Sequence, residues 1–398
     1  MGIQITSPEP ERQYPVFLEL GFRPFFLCAA VFSIVSMGLW SVSYFLGWHP
    51  GPAGISPGVW HAHEMIYGYA MAVIAGFLLT AVRNWTGIQT LHGYGLAGFA
   101  ALWVLARMLW MVDAGAPLWF LAVMDNLFIL LLTLFLAIPV VRSRNWRQIS
   151  VLSKIVLLFL SNILFYLGFL GILPQGVTWG LYSGFYLVIG LIMMMGRRVI
   201  PFFITRGVGY AVEVKNWRWV DLASAISFIA FWFFSSFTAM PALSSGLAIF
   251  LFFVLGIRLW GWHTPGIWKK PLLWILYLAY GFIVLGFLLF AMAHNLGVSP
   301  YLAVHAFAAG GIGMMTLGMM ARVALGHTGR NIQVLPGLLP VVLSLSAMSA
   351  VVRVILPMFV PHYDSIWIGA SQLLWVAAFT IFTWIYFPIL VAPRIQGR

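Results

Sequence analysis

Stretches of 18 or more mostly apolar residues recur along this chain from Phe22 almost to its C-terminal end, separated by short runs of Pro, Gly and charge. A helix needs ~20 such residues to cross a hydrocarbon core. Composition agrees: of 398 residues, 62% are hydrophobic and 8% charged, against roughly 25% charged in soluble domains. The sequence describes an all-α, polytopic integral membrane protein. Twelve transmembrane helices are read at residues 22–46, 60–82, 93–112, 118–141, 151–173, 176–196, 218–238, 242–261, 271–293, 301–325, 337–357 and 364–390. The longest connection, 197–217, is too short to fold alone. Residues 1–398 therefore read as one transmembrane domain that begins with a short polar segment, 1–20.

Every Lys and Arg except Arg107 and Arg353 falls in an even-numbered hairpin, at its edge or near a terminus, from Arg12 and Arg23 to Arg394 and Arg398. An excess of Lys/Arg marks cytoplasmic loops, so both termini are expected in the cytoplasm. The formal charge of +12 would suit a nucleic-acid partner only if it covered one soluble face. Topology accounts for it here, and no nucleic acid is expected. Glu9, Glu11 and Glu19 occupy the polar start, which lacks the basic beginning of a secretory signal. Cys28 is the only cysteine, which excludes a disulfide framework or thiolate cluster. Metal chemistry must use His, Met or carboxylate.

Those groups concentrate at two places. Span 2 opens Trp60-His61-Ala62-His63-Glu64-Met65, and span 10 opens His305-Ala306-Phe307. Both spans run inward from the outer side, which puts His63 and His305 at about 7 Å depth for a rise of 1.5 Å per residue. An offset of 242 residues superposes His63 on His305, Gly68 on Gly310, Gly76 on Gly318, and Thr86-Gly87 on Thr328-Gly329. The match suggests three pseudo-repeats of four helices, although span 6 shares little beyond Gly190 and has no His.

Ionisable residues inside a span are costly and become functional candidates by default. Imidazole is a natural axial ligand of haem, and His63 with His305 is the expected axial pair. Small residues on both spans leave room for a flat macrocycle, or for close helix packing alone. His61 and His63 diverge by ~200° on a regular helix, so they serve different sites. His61 and Glu64 share a face that suits a second metal or a proton, so the candidate metal ligands are His61, His63, His305 and Glu64. Glu64 equally suits a partner that orients an imidazole. Arg107 in span 3 and Asp125 in span 4 lie at similar depth and are expected to pair. Together with Glu64 they are the candidate catalytic groups. Arg107 and Arg353 are also candidates for haem propionates, because guanidinium matches carboxylate geometry. His294 is held in reserve, and the Met-rich stretches read as packing.

The chain resembles the NnrS family of bacterial membrane proteins tied to nitric oxide metabolism. The motifs are Gly21-Phe22-Arg23-Pro24-Phe25-Phe26; His61-Ala62-His63-Glu64-Met65; Gly76-Phe77-Leu78-Leu79-Thr80-Ala81 with Asn84-Trp85-Thr86-Gly87; and Leu325-Gly326-His327-Thr328-Gly329-Arg330. The resemblance implies twelve spans in the bacterial cytoplasmic membrane, haem (of b type) and copper as cofactors, and a part in denitrification or defence against nitrosative stress. Nitric oxide or a related small ligand, the lipid bilayer and an electron-transfer partner are the implied partners. The reaction, a haem-dependent oxidoreduction of nitric oxide included, is left open. A more distant likeness is to haem–copper oxidases and nitric oxide reductases, which hold a bis-His haem between spans 2 and 10. Here the His-x-His lies on span 2, and spans 6 and 7 have no His for their copper centre. A competing reading is a proton-coupled transporter gated by the His/Glu cluster, which predicts helices broken at mid-membrane and no chromophore. A purely structural membrane factor is the third.

Overall fold

The computed structural model describes residues 13–112 and 115–395. Glu9, Glu11, Arg12 and Arg398 lie outside the described residues. Twelve helices are long and apolar enough to span a membrane: α1 (Phe22–Leu46), α2 (Pro57–Thr86), α3 (Gly93–Met111), α4 (Leu118–Arg142), α5 (Trp146–Phe169), α6 (Gly176–Gly207), α7 (Arg218–Phe237), α8 (Pro241–Trp262), α9 (Pro271–Leu296), α10 (Pro300–His327), α11 (Leu339–Phe359) and α12 (Pro361–Val391). There is no strand among the described residues. The expected all-helical, twelve-span membrane fold is the observed one.

Each helix packs on the next, and α12 returns to α1, so the bundle closes on itself. Three helices spaced four apart, α2, α6 and α10, touch one another at the centre. Their spans are 83%, 61% and 72% buried, whereas α4 and α7 are 33% buried and keep most of their surface for lipid. Lipid tails are as apolar as leucine, so helices gather through close packing rather than hydrophobic exclusion. Glycine supplies that closeness at matched places. A Cβ on Gly76 would stand 2.9 Å from Phe26 of α1, and one on Gly318 would stand 2.8 Å from Ile275 of α9. In each case the preceding helix fills the notch.

The likeness of α2 and α10 extends to the backbone. Directly after His63 the helix widens into a π segment, Glu64–Ala70, and directly after His305 into another, Ala306–Gly313. Both helices end alike: Thr86 and Thr328 each donate a hydroxyl to the carbonyl four residues back at 2.7 Å. Gly87 and Gly329 follow with φ of 70° and 74°, a left-handed turn that glycine makes without strain. α6 stays α-helical throughout. The internal repeat is thus plain for α2 and α10, and reaches α6 only through its central position.

Two of the sequence motifs fasten the ring. The amide of Phe22 donates to Thr80 Oγ1 at 3.1 Å, and Arg23 Nη1 donates to the carbonyls of Leu390 and Ala392 at 2.6 and 2.8 Å. Those bonds tie the start of α1 to α2 and to the end of α12. The one boundary that departs well beyond a turn is α6, expected to stop at 196 and observed to reach Gly207. Ile200 and Ile204 continue a buried i,i+4 stripe, and Arg197 pairs with Asp221 of α7. These contacts carry the helix through its two arginines and Pro201, and shorten the connection to residues 208–217.

The outer histidines and the charge cluster beneath them

Asp125, Arg107, Glu64 and His63 converge in the half of the bundle opposite the Lys/Arg-rich end, among α2, α3, α4 and α5. All four are at most 2% exposed. Arg107 Nη1 donates to Glu64 Oε1 at 2.5 Å, and its Nη2 donates to Asp125 Oδ1. The expected Arg107–Asp125 pair is present, with Glu64 added. Asn162 of α5 donates its amide to Asp125 Oδ2 at 2.9 Å, and Tyr166 donates its hydroxyl there at 3.1 Å. Gly68 leaves the room: a Cβ there would lie 3.1 Å from Arg107 Cδ and 2.7 Å from Phe32.

His63 is absorbed into this network. Its Nδ1 lies 3.0 Å from Glu64 Oε1, and its Nε2 lies 3.1 Å from Asn162 Oδ1 and 3.3 Å from Asp125 Oδ2. Because Asn162 turns its amide nitrogen to Asp125, its oxygen can only accept, so Nε2 carries a hydrogen. Glu64 Oε1 already accepts from Arg107, so Nδ1 carries one too. Two carboxylates then balance one guanidinium and one imidazolium, which is how buried charges are tolerated. Trp110 stacks on the ring and Phe165 lies tilted beside it, with centroids at 4.3 and 4.4 Å. Neither nitrogen has a lone pair to spare, and the ring faces α3 to α5 rather than α10. The expectation that His63 pairs with His305 is replaced by this arrangement.

The imidazole on the α10 side is His61. It stacks on Trp40 of α1 at 4.7 Å and 12°. Its Nδ1 is buried without a hydrogen-bond partner, and its Nε2 makes no hydrogen bond among the described residues. His305 donates Nδ1–H to the carbonyl of Tyr301 at 2.7 Å. That bond fixes the tautomer and leaves Nε2 with its lone pair. His61 and His305 lie within electrostatic reach of each other, and Arg353 of α11 within reach of both. Arg353 makes no hydrogen bond among the described residues. A floor closes beneath them, where Tyr69 of α2 and Thr316 of α10 share a hydrogen bond of 2.7 Å and Trp375 of α12 meets the Tyr69 ring edge-on.

The profile of the family described as NnrS protein matches residues 16–394 of this chain. The chain belongs to the NnrS family. Comparison with curated proteins gives no match. Within this NnrS protein, the residues singled out in the sequence have partners other than those expected. Glu64 and His61, expected to share a metal, have separate neighbours, Arg107 on one side and Trp40 on the other. No three His, Cys, Asp or Glu side chains gather as a metal site would need among the described residues. Arg107 is taken by its two carboxylates, which leaves Arg353, without a hydrogen bond among the described residues but within electrostatic reach of Asp364, as the guanidinium near the imidazoles. Asn162, Tyr166 and Trp110 were missed. Asn162 carries the one signal that was available, a side-chain amide in the middle of an apolar run.

Proposed function

We propose that this NnrS protein binds a haem at the outer end of α2 and α10, where His61 and His305 would hold the iron and Arg353 a propionate, and that it serves nitric oxide metabolism through it. The observation that carries the reading is the pair of imidazoles with free nitrogens. His305 is held by Tyr301 so that Nε2 is bare, and His61, within electrostatic reach of it, has no hydrogen bond of its own among the described residues. Haem iron held this way supplies one-electron exchange, its potential set by the two imidazoles and the surrounding dielectric. The chain's own groups do the rest. Trp40 fixes the His61 ring plane, the Tyr69–Thr316 bond holds α2 and α10 at a set distance, and the cluster around Asp125 locks the first turns of α2. Nitric oxide is small and apolar, so it reaches such a site from the lipid without a polar channel.

The transporter reading has less support, because α2 and α10 stay helical through their π segments instead of unwinding at mid-membrane. An absorption spectrum of protein made with ample haem, reduced minus oxidised, tests the proposal. Paired α and β bands of a six-coordinate haem are expected, and a colourless protein removes the reading. Adding nitric oxide then separates two roles: an unchanged spectrum means electron transfer, and a shifted Soret band means that the ligand displaces an imidazole.

A further inference from the structure

At the opposite end of the bundle, where the Lys/Arg-rich connections gather, lies a pocket of about 130 Å³ between the start of α9 and the end of α10. Its polar lining is Arg322, Lys269, Lys270 and Gln333, and no carboxylate lines it. Arg322 is 8% exposed, and its guanidinium carbon lies over the Phe203 ring of α6, 3.8 Å from the centroid. Stacking of this kind occupies the face of the guanidinium and leaves its in-plane N–H groups free. Among the described residues Arg322 has neither a hydrogen bond nor a carboxylate. Its nitrogens open onto the pocket, where a guanidinium with five donors and no protein acceptor favours an anion.

The neighbours supply what such an anion needs. Lys270 donates to Gln333 Oε1 at 3.2 Å, which leaves the Gln333 amide nitrogen available as a further donor. Lys269 is exposed at the rim. The pocket also includes Pro271, Leu272 and Leu273, the first turn of α9; Pro271 has no N–H and the Leu273 amide donates to the Lys270 carbonyl at 2.9 Å, so this turn offers the Leu272 amide and the positive end of the helix dipole. Three cations, one side-chain amide and a helix start around one space, with no anionic side chain, match a tetrahedral oxyanion.

We infer that this pocket binds a phosphate group, presented either by an anionic phospholipid headgroup or by a soluble phosphate. The inference is independent of the haem reading. The test uses the full chain, delipidated in a neutral maltoside detergent, titrated separately with inorganic phosphate and with short-chain phosphatidylglycerol while the melting midpoint is followed. The midpoint is expected to rise in saturable fashion with at least one probe, and Arg322→Gln to weaken that probe by about tenfold or more, as befits losing charge-assisted hydrogen bonds. A response to phosphatidylglycerol alone assigns the headgroup, and a response to both assigns a site open to soluble phosphate. Should Arg322→Gln fold poorly, the surface double variant Lys269→Gln/Lys270→Gln is read instead and is expected to weaken binding in the same direction. The inference is overturned by no response to either probe, or by an equal response in these variants and in Arg142→Gln/Arg147→Gln, a control remote from the pocket.

Discussion

An imidazole serves a metal only through a nitrogen that still owns its lone pair, and His61, His63 and His305 differ on that point. His63 spends both nitrogens on Glu64, Asn162 and Asp125, while His61 and His305 keep one free. The cluster around His63 is a charge-balanced plug whose members depend on one another. Arg107 is the hinge of that balance, because it touches both carboxylates. Arg107→Ala leaves Glu64 and Asp125 facing each other across a buried site, a loss of the kind that costs about 3–5 kcal/mol. The variant is expected to unfold at a clearly lower detergent concentration or temperature than the parent. Arg107→Ala/Glu64→Gln/Asp125→Asn, with the charges removed together, recovers a good part of that loss. If the single variant is as stable as the parent, the plug is not a structural necessity.

Among the elements, α2 and α10 carry the site, and both change pitch immediately after a histidine. A π segment holds an extra residue per turn, and such bulges recur at functional sites. Removing one residue from 306–313, Ala309 for instance, returns α10 to α-helical phase and turns His305 by about 100° relative to the rest of the helix. The deletion variant is expected to insert and run as a single species in size-exclusion chromatography while losing the haem spectrum. A retained spectrum means that the π segment has no part in aiming His305. The spans themselves were legible in the sequence, because apolar length and flanking charge are read along the chain. The divergence of His61 from His63 was legible too, from the helical period. Which of the two faces α10 was not, since nothing in the sequence announces a π segment and the rotation of one helix against another depends on contacts with Trp40, Asn162 and Tyr166 far away in the chain. The end of α6 was misjudged because Arg197 and Arg198 read as a loop, and the partner that keeps Arg197 helical, Asp221, lies on another helix.

For the whole molecule, the closed ring of twelve helices puts nearly all described basic residues at one end and His61, His63 and His305 at the other. Orientation in the membrane follows if the basic end faces the cytoplasm. In a Cys28→Ser background, a cysteine introduced at exposed Gly54 is expected to react with an impermeant maleimide in intact cells, and one at Gly209 only after permeabilisation. The reverse pattern would invert the molecule and put the imidazole pair on the cytoplasmic side. The basic residues also do more than orient: Arg23 closes the ring at Leu390 and Ala392, and Arg258 joins α8 to Asp221 and Tyr280. The account as a whole rests on one bridge, a haem joining α2 to α10 through His61 and His305. The most direct test is the reduced-minus-oxidised spectrum of purified wild type beside His61→Ala, His305→Ala and His63→Gln, with haem content measured in each. The account predicts that the haem signal is lost or reduced to a five-coordinate form in the first two and kept as six-coordinate in the third. Loss in His63→Gln with retention in His61→Ala would contradict it.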